Sequence, residues 1–217
     1  MSISLLMSGI LGSGGVADVA AGTLMSSNTD SSDAASHTYS PGEFPAHKLL
    51  VGVFTQTGVS NEGDITSVTI GGASATAVTS AIVDLAFAYL RMYEATPTAG
   101  NNGQIVINTT SMLRSGYALW SVNGLTSANG NGDFTNGGTV VTLDLNTTAS
   151  DYAFGLGMVE GTQTATWTNL TEEFETTVES NTMTAATNTS VTGGTPEAFD
   201  VTYSSSGNIR GVISVYN

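Results

Sequence analysis

Cysteine is missing altogether from the 217 residues and basic residues nearly so, with Lys48, Arg91, Arg114 and Arg210 set against eighteen acidic side chains for a formal net charge of −14. The first absence excludes disulfides, thiolate catalysis and cysteine-ligated zinc. The second excludes extended contact with phosphate backbones or anionic headgroups, which need clustered Lys and Arg, whereas these four are scattered. No nucleic-acid partner and no membrane partner is expected. Histidine is scarce too: His37 and His47 are the only two. They read as ordinary loop histidines flanking a Pro/Gly-containing segment, with no His-x-His pair or cysteine to complete a metal site.

What is abundant is turn and strand chemistry. Glycine contributes 26 residues and Ser, Thr and Asn together 73, while hydrophobic residues reach 40%. That composition gives many short strands joined by turns around a real core. The pattern has period two: Lys48–Thr55 and Asp84–Tyr93 carry apolar groups on both faces, which predicts central strands. In Asp151–Met158 the residues Tyr152, Phe154, Leu156 and Met158 alternate with Ala153, Gly155 and Gly157, so one face is large and the other suits a closely packed neighbour or a shallow outer face. Gly71-Gly72, between two apolar runs, supplies the positive φ of a tight hairpin. Further strands are predicted at 103–108, 116–122, 139–145, 162–167, 198–203 and 209–216. Ile105–Thr110 and Leu143–Thr148 echo one another, each followed by a Tyr-Ala strand start, which predicts two equivalent strand-turn-strand units.

The expected fold is therefore all-β, an antiparallel β-sandwich of jelly-roll type with an N-terminal arm. Residues 1–36 form the arm and a flexible connector, and 37–217 the sandwich domain. The first 25 residues are apolar and precede any Lys or Arg, so they lack the positive region of a signal peptide and read as a retained arm. Ile3, Leu5, Leu6, Met7, Ile10 and Leu11 have no charged neighbour and are the residues expected to bind a partner, since a free tail is normally polar.

No catalytic residue and no cofactor is predicted. Ser-His hydrolase chemistry lacks the G-x-S-x-G turn. Glu172, Glu173, Glu175 and Glu179 contain enough carboxylates for an acid/base pair, but such a run also suits a solvated edge where charge blocks strand addition. The segment Asn129-Gly130-Asn131-Gly132-Asp133 alternates oxygen side chains in the manner of a cation loop without the remaining acidic positions, and reads as a flexible hairpin loop. Trp120, in an apolar strand, is assigned to the core. Trp167 is divided between core packing and stacking on a sugar face.

Three stretches, Thr66–Val78 (TSVTIGGASATAV), Thr164–Glu175 (TATWTNLTEEFE) and Arg210–Val215 (RGVISV), resemble in order and spacing a β-sandwich structural module of tailed-bacteriophage virion proteins, over residues 37 to the C-terminus. The resemblance implies a virion location and a role as capsid cement or decoration, with other virion proteins of the capsid shell and further copies of the chain as partners. The tail-appendage alternative implies a glycan contact, for which Trp167, Asn129, Asn131 and Asp133 are the candidates. The family offers no catalytic residues to carry over.

Overall fold

A computed structural model describes residues 18–57, 64–85, 88–98, 102–111 and 114–217. Ile3, Leu5, Leu6, Met7, Ile10 and Leu11 lie outside the described residues. All regular structure described is β: β1 (Leu24–Asp30), β2 (Ser36–Glu43), β3 (Leu49–Gln56), β4 (Ile65–Ile70), β5 (Ala73–Ser74), β6 (Thr76–Leu85), β7 (Ala88–Ala95), β8 (Asn102–Thr109) and β9 (Arg114–Ser121) in the first half. The second half holds β10 (Ser127–Thr147), β11 (Tyr152–Glu160), β12 (Ala165–Trp167), β13 (Thr171–Val178), β14 (Asn181–Asn188) and β15 (Gly194–Tyr216).

Three antiparallel sheets result. Sheet A runs β1-β9-β3-β7-β6, sheet B runs β2-β8-β4-β5, and sheet C runs β10-β15-β11-β14-β13 with β12 paired to β15. Period-two alternation decides how they stack. On β3, Leu49, Val51 and Val53 join a cluster with Ile70, Ile105 and Ile107 of sheet B, while Leu50 and Phe54 join another with Phe154, Leu156 and Met158 of sheet C. Sheet A is thus covered on both faces, which is why β3 and β7 read as apolar throughout. Each large side chain buried in this way contributes about 1.5–3 kcal/mol relative to exposure.

Sheet C folds back on itself. β10 and β15 pair along a ribbon from Ser127↔Tyr216 to Thr147↔Gly194, interrupted by register shifts around Gly138. A Cβ placed on Gly211 would meet Leu143, Val141 and Val201 at 3.1–3.4 Å, so the two ends of the ribbon face one another. Between them lies a third cluster that includes Leu143, Val159, Phe199 and Ile213. The order of layers is sheet B, sheet A, the inner part of sheet C, and its outer part. The expected all-β fold of antiparallel, sandwiched sheets is what the chain builds, with three apolar interfaces between its layers.

Several expectations are corrected by this architecture. Leu24–Asp30, read mainly as connector, is an edge strand paired with β9 from Leu24↔Trp120 to Asp30↔Ser115. Its polar side chains are tolerated because an edge strand is held by backbone bonds and is only half covered. Asn129–Asp133 is strand and not loop. The separate runs at 198–203 and 209–216 belong to one bent strand. β14, buried from Asn181 to Thr187, escaped the sequence reading because its interior is built largely of Thr and Ala. In the repeated units, Ile105 and Leu143 both occupy outer layers, but Tyr117 faces the outer layer of its own half, sheet B, whereas Tyr152 packs toward sheet A, away from the outer part of sheet C.

Candidate functional site

The glutamate run forms β13, the outermost strand of sheet C. A register shift between Glu172 and Phe174 marks a bulge there, and a bulge puts two residues of one strand opposite one of its partner. Glu173 and Phe174 accordingly serve the same side: Glu173 Oε2 accepts hydrogen bonds from Trp120 Nε1 at 2.9 Å and Thr187 Oγ1 at 2.6 Å, and Phe174 packs on the central cluster. Glu172 and Glu175 serve the other side. Thr184 Oγ1 donates to Glu172 at 3.1 Å, and the Ala165 amide donates to Glu175 at 2.6 Å. Partial burial pushes the Glu172 carboxyl above its ordinary range, and Glu175 adds to the rise. Both carboxylates also help burial to hold the Tyr203 phenol well above its usual value. The run is a sheet edge in which Glu172, Glu173 and Glu175 accept hydrogen bonds, and Glu179, just beyond β13, pairs with Arg114.

Both histidines are buried; His47 lies in the connection between β2 and β3, as its loop reading had it, whereas His37 is a strand residue, which corrects that reading for it. His37 lies on β2 with Nε2 2.9 Å from the Ser32 carbonyl and Nδ1 2.5 Å from Ser115 Oγ. A carbonyl only accepts, so Nε2 carries the proton and Nδ1 accepts from Ser115; Tyr39 then donates to the Ser115 oxygen at 2.5 Å. The neutral imidazole satisfies the whole network. Burial raises the pKa of Tyr39 well above its ordinary value, with the Ser115 bond working the other way.

His47 has the connectivity of a hydrolase triad: Nε2 is 2.9 Å from Ser121 Oγ, and Nδ1 is 3.6 Å from Asp18 Oδ1. The hydroxyl does not point to an acyl group, however. Ser121 is fully buried and its hydrogen goes to the Val19 carbonyl at 2.9 Å. A nucleophile needs both exposure and a base that takes its proton, and in this arrangement Ser121 has neither. Both contacts were beyond sequence reasoning, because the serines lie 78 and 74 residues from their histidines.

The glycan candidates are not brought together. Trp167 is 7% exposed and packs in the third cluster, with Nε1 donating to Thr184 at 3.1 Å. The reason is the small face of β11: the indole fills the space above Gly155. This removes it as a stacking platform. Asn129, Asn131 and Asp133 follow one another at alternate positions of β10, and each Oδ1 accepts from the next backbone amide, at Gly130, Gly132 and Phe134. Asn131 Nδ2 also reaches the Asp144 carbonyl at 3.2 Å. Their oxygens serve the strand instead of encircling a cation. No group of three or more His, Cys, Asp or Glu among the described residues is placed to hold a metal ion. Comparison with known proteins finds no matching family model, no matching curated protein and no matching solved structure.

Proposed function

We propose that this chain is a non-enzymatic virion structural protein, a cement or decoration protein that binds a capsid shell and other copies of itself through its apolar N-terminal arm. The observation that carries the reading is strand order. β1-β9-β3-β7 facing β2-β8-β4-β5 is the arrangement of two interlocked Greek keys, with β6 as an added edge strand, and we read it as a jelly roll. That architecture serves viral capsid and lectin domains, and the step from it to a virion role is an analogy of fold.

Two further features support the reading. The candidate nucleophile Ser121 is buried with its hydrogen committed to a carbonyl, and the glutamate run is engaged in holding a sheet edge. The residues Ile3, Leu5, Leu6, Met7, Ile10 and Leu11 form an apolar sequence without charge, for which burial against a partner is the favourable state. The tail-appendage alternative keeps only the polar residues Asn129, Asn131 and Asp133 once Trp167 is taken into the core.

Immunogold labelling of virus particles that carry this protein tests the proposal. Label distributed over the shell is expected. Label confined to a tail, together with binding of the isolated protein on a glycan array, would favour the appendage reading instead.

A further inference from the structure

His37 and His47 differ in how many ring protons their surroundings require. At His37 one proton suffices: Nε2 donates to the Ser32 carbonyl and Nδ1 accepts from Ser115. At His47 both ring nitrogens face acceptors. On one side, Ser121 has given its only hydrogen to Val19, so its oxygen is left to accept from Nε2. On the other side stands the Asp18 carboxylate, which accepts only, 3.6 Å from Nδ1. Nδ1 is itself buried and has no hydrogen-bond partner among the described residues. With one proton the ring can serve Ser121 or Asp18; with two it serves both.

We propose that His47 is a pH-operated clasp on the segment that joins the N-terminal arm to the sandwich. The imidazolium draws Asp18 in through Nδ1 and fixes Val19 through Nε2 and Ser121. Loss of the second proton leaves a lone pair facing either the carboxylate or the serine oxygen, and the Asp18–Val19 end is released. Downstream, backbone bonds hold the chain in either state, from the Gly22 amide to the Ser121 carbonyl at 2.9 Å and from the Ser121 amide to the Thr23 carbonyl at 3.0 Å. The movable part is therefore the stretch just before Gly22, which leads directly into residues 1–17.

The charged surroundings are simple. Asp18 comes from the N-terminal segment and is the carboxylate in ion-pair range of the ring among the described residues. β9 contributes the uncharged Ser121. Lys48, the next residue after His47, is turned toward Glu94 at 3.7 Å, and Tyr216 OH donates to that same carboxylate at 2.9 Å. Histidine is the side chain that ordinarily changes charge between about pH 5 and 8, and His37 is the only other one in the chain. The clasp goes beyond the cement reading, because it concerns the joint of the arm whatever the arm binds.

Hydrogen exchange of the full-length protein tests it, read on the amides from Val19 to Thr23 at about pH 5.5 and 8 and corrected for intrinsic rates. Because Asp18 is exposed, protection should fall by about two- to fivefold at the higher pH. In Asp18→Asn, a change at a position 86% exposed, the pH step should vanish. His47→Gln should behave likewise, and Asp18→Asn decides alone if His47→Gln fails to fold. Equal protection of the wild-type segment at both pH values, or a full-sized pH step persisting in Asp18→Asn, overturns the clasp.

Discussion

The indole of Trp167 lies directly over the backbone of Gly155, where an added Cβ would come within 2.8 Å of Cη2 and Cζ3 of the ring. Leu170 Cδ1 would be 2.7 Å away from the same Cβ. The outer layer of sheet C can approach β11 only because that position has no side chain. Gly155→Ala should therefore destabilise by about 1–3 kcal/mol through overpacking, read as a lower midpoint in chemical denaturation. An unchanged midpoint would mean that the indole moves aside freely.

The hairpin between β4 and β5 gives a graded prediction. Gly71 and Gly72 have φ of +58° and +79°, the left-handed pair that a two-residue hairpin turn needs. A Cβ on Gly71 would also meet Pro97 at 2.8 Å and Phe44 at 2.9 Å, whereas one on Gly72 would meet nothing within 4 Å among the described residues. Gly72→Ala should cost about 1 kcal/mol from backbone conformation alone, and Gly71→Ala should cost more. Thermal melts of the two variants check the order, and a larger loss in Gly72→Ala would contradict it.

These two glycine sites show what the sequence could disclose. A turn is specified by adjacent residues, and Gly71-Gly72 is legible for that reason. The alternation in β11 also disclosed that something packs closely on Gly155 and Gly157. It could not disclose that Trp167 and Tyr203 are what packs there, since side chains on other strands fill the space. β3 was legible as central from its own residues. β1 was not, because LMSSNTD owes its strand conformation to backbone pairing with β9. Asn129–Asp133 misled for a related reason: its glycines read as loop, yet a Cβ on Gly132 would collide with the Ile82 carbonyl oxygen, so a strand passing that close to β6 requires glycine.

Glu173 should act as a structural acceptor. Its Oε2 receives both Trp120 Nε1 and Thr187 Oγ1, so Glu173→Ala leaves the indole N–H of a fully buried tryptophan without its partner and should cost about 1–3 kcal/mol. Glu173→Gln keeps a carbonyl acceptor and should cost less. Trp120 fluorescence through a urea titration reports both. Loss of a polysaccharide-hydrolysing activity in Glu173→Gln would instead overturn the non-enzymatic reading.

Glu172 gives a pH-dependent prediction of defined sign. Its pKa is raised in the folded chain, chiefly by burial, so folding favours the protonated form. The stabilising contribution is complete below the unfolded value and is lost as pH rises through the folded one. At neutral pH the ionised group is therefore unfavourable, and Glu172→Gln, whose amide oxygen still accepts from Thr184, should raise Tm there. The gain should shrink on acidification toward about pH 4. A lower Tm at neutral pH, or a difference that does not change with pH, would contradict the assignment.

If residues 1–17 bind a partner, as proposed, the rest of the chain should fold without them. Truncation must stop at residue 17, since Gly22 and Thr23 bond to Ser121 and β1 begins at Leu24. Burying about four of the arm's large apolar side chains would contribute on the order of 6–10 kcal/mol before the cost of ordering the arm. Sedimentation velocity of the full chain beside a chain lacking residues 2–17 measures this most directly. The full chain should sediment as an oligomer and the truncated chain as a monomer, with identical far-ultraviolet circular dichroism; equal oligomeric states for the two folded chains would rule out the arm as the contact between copies.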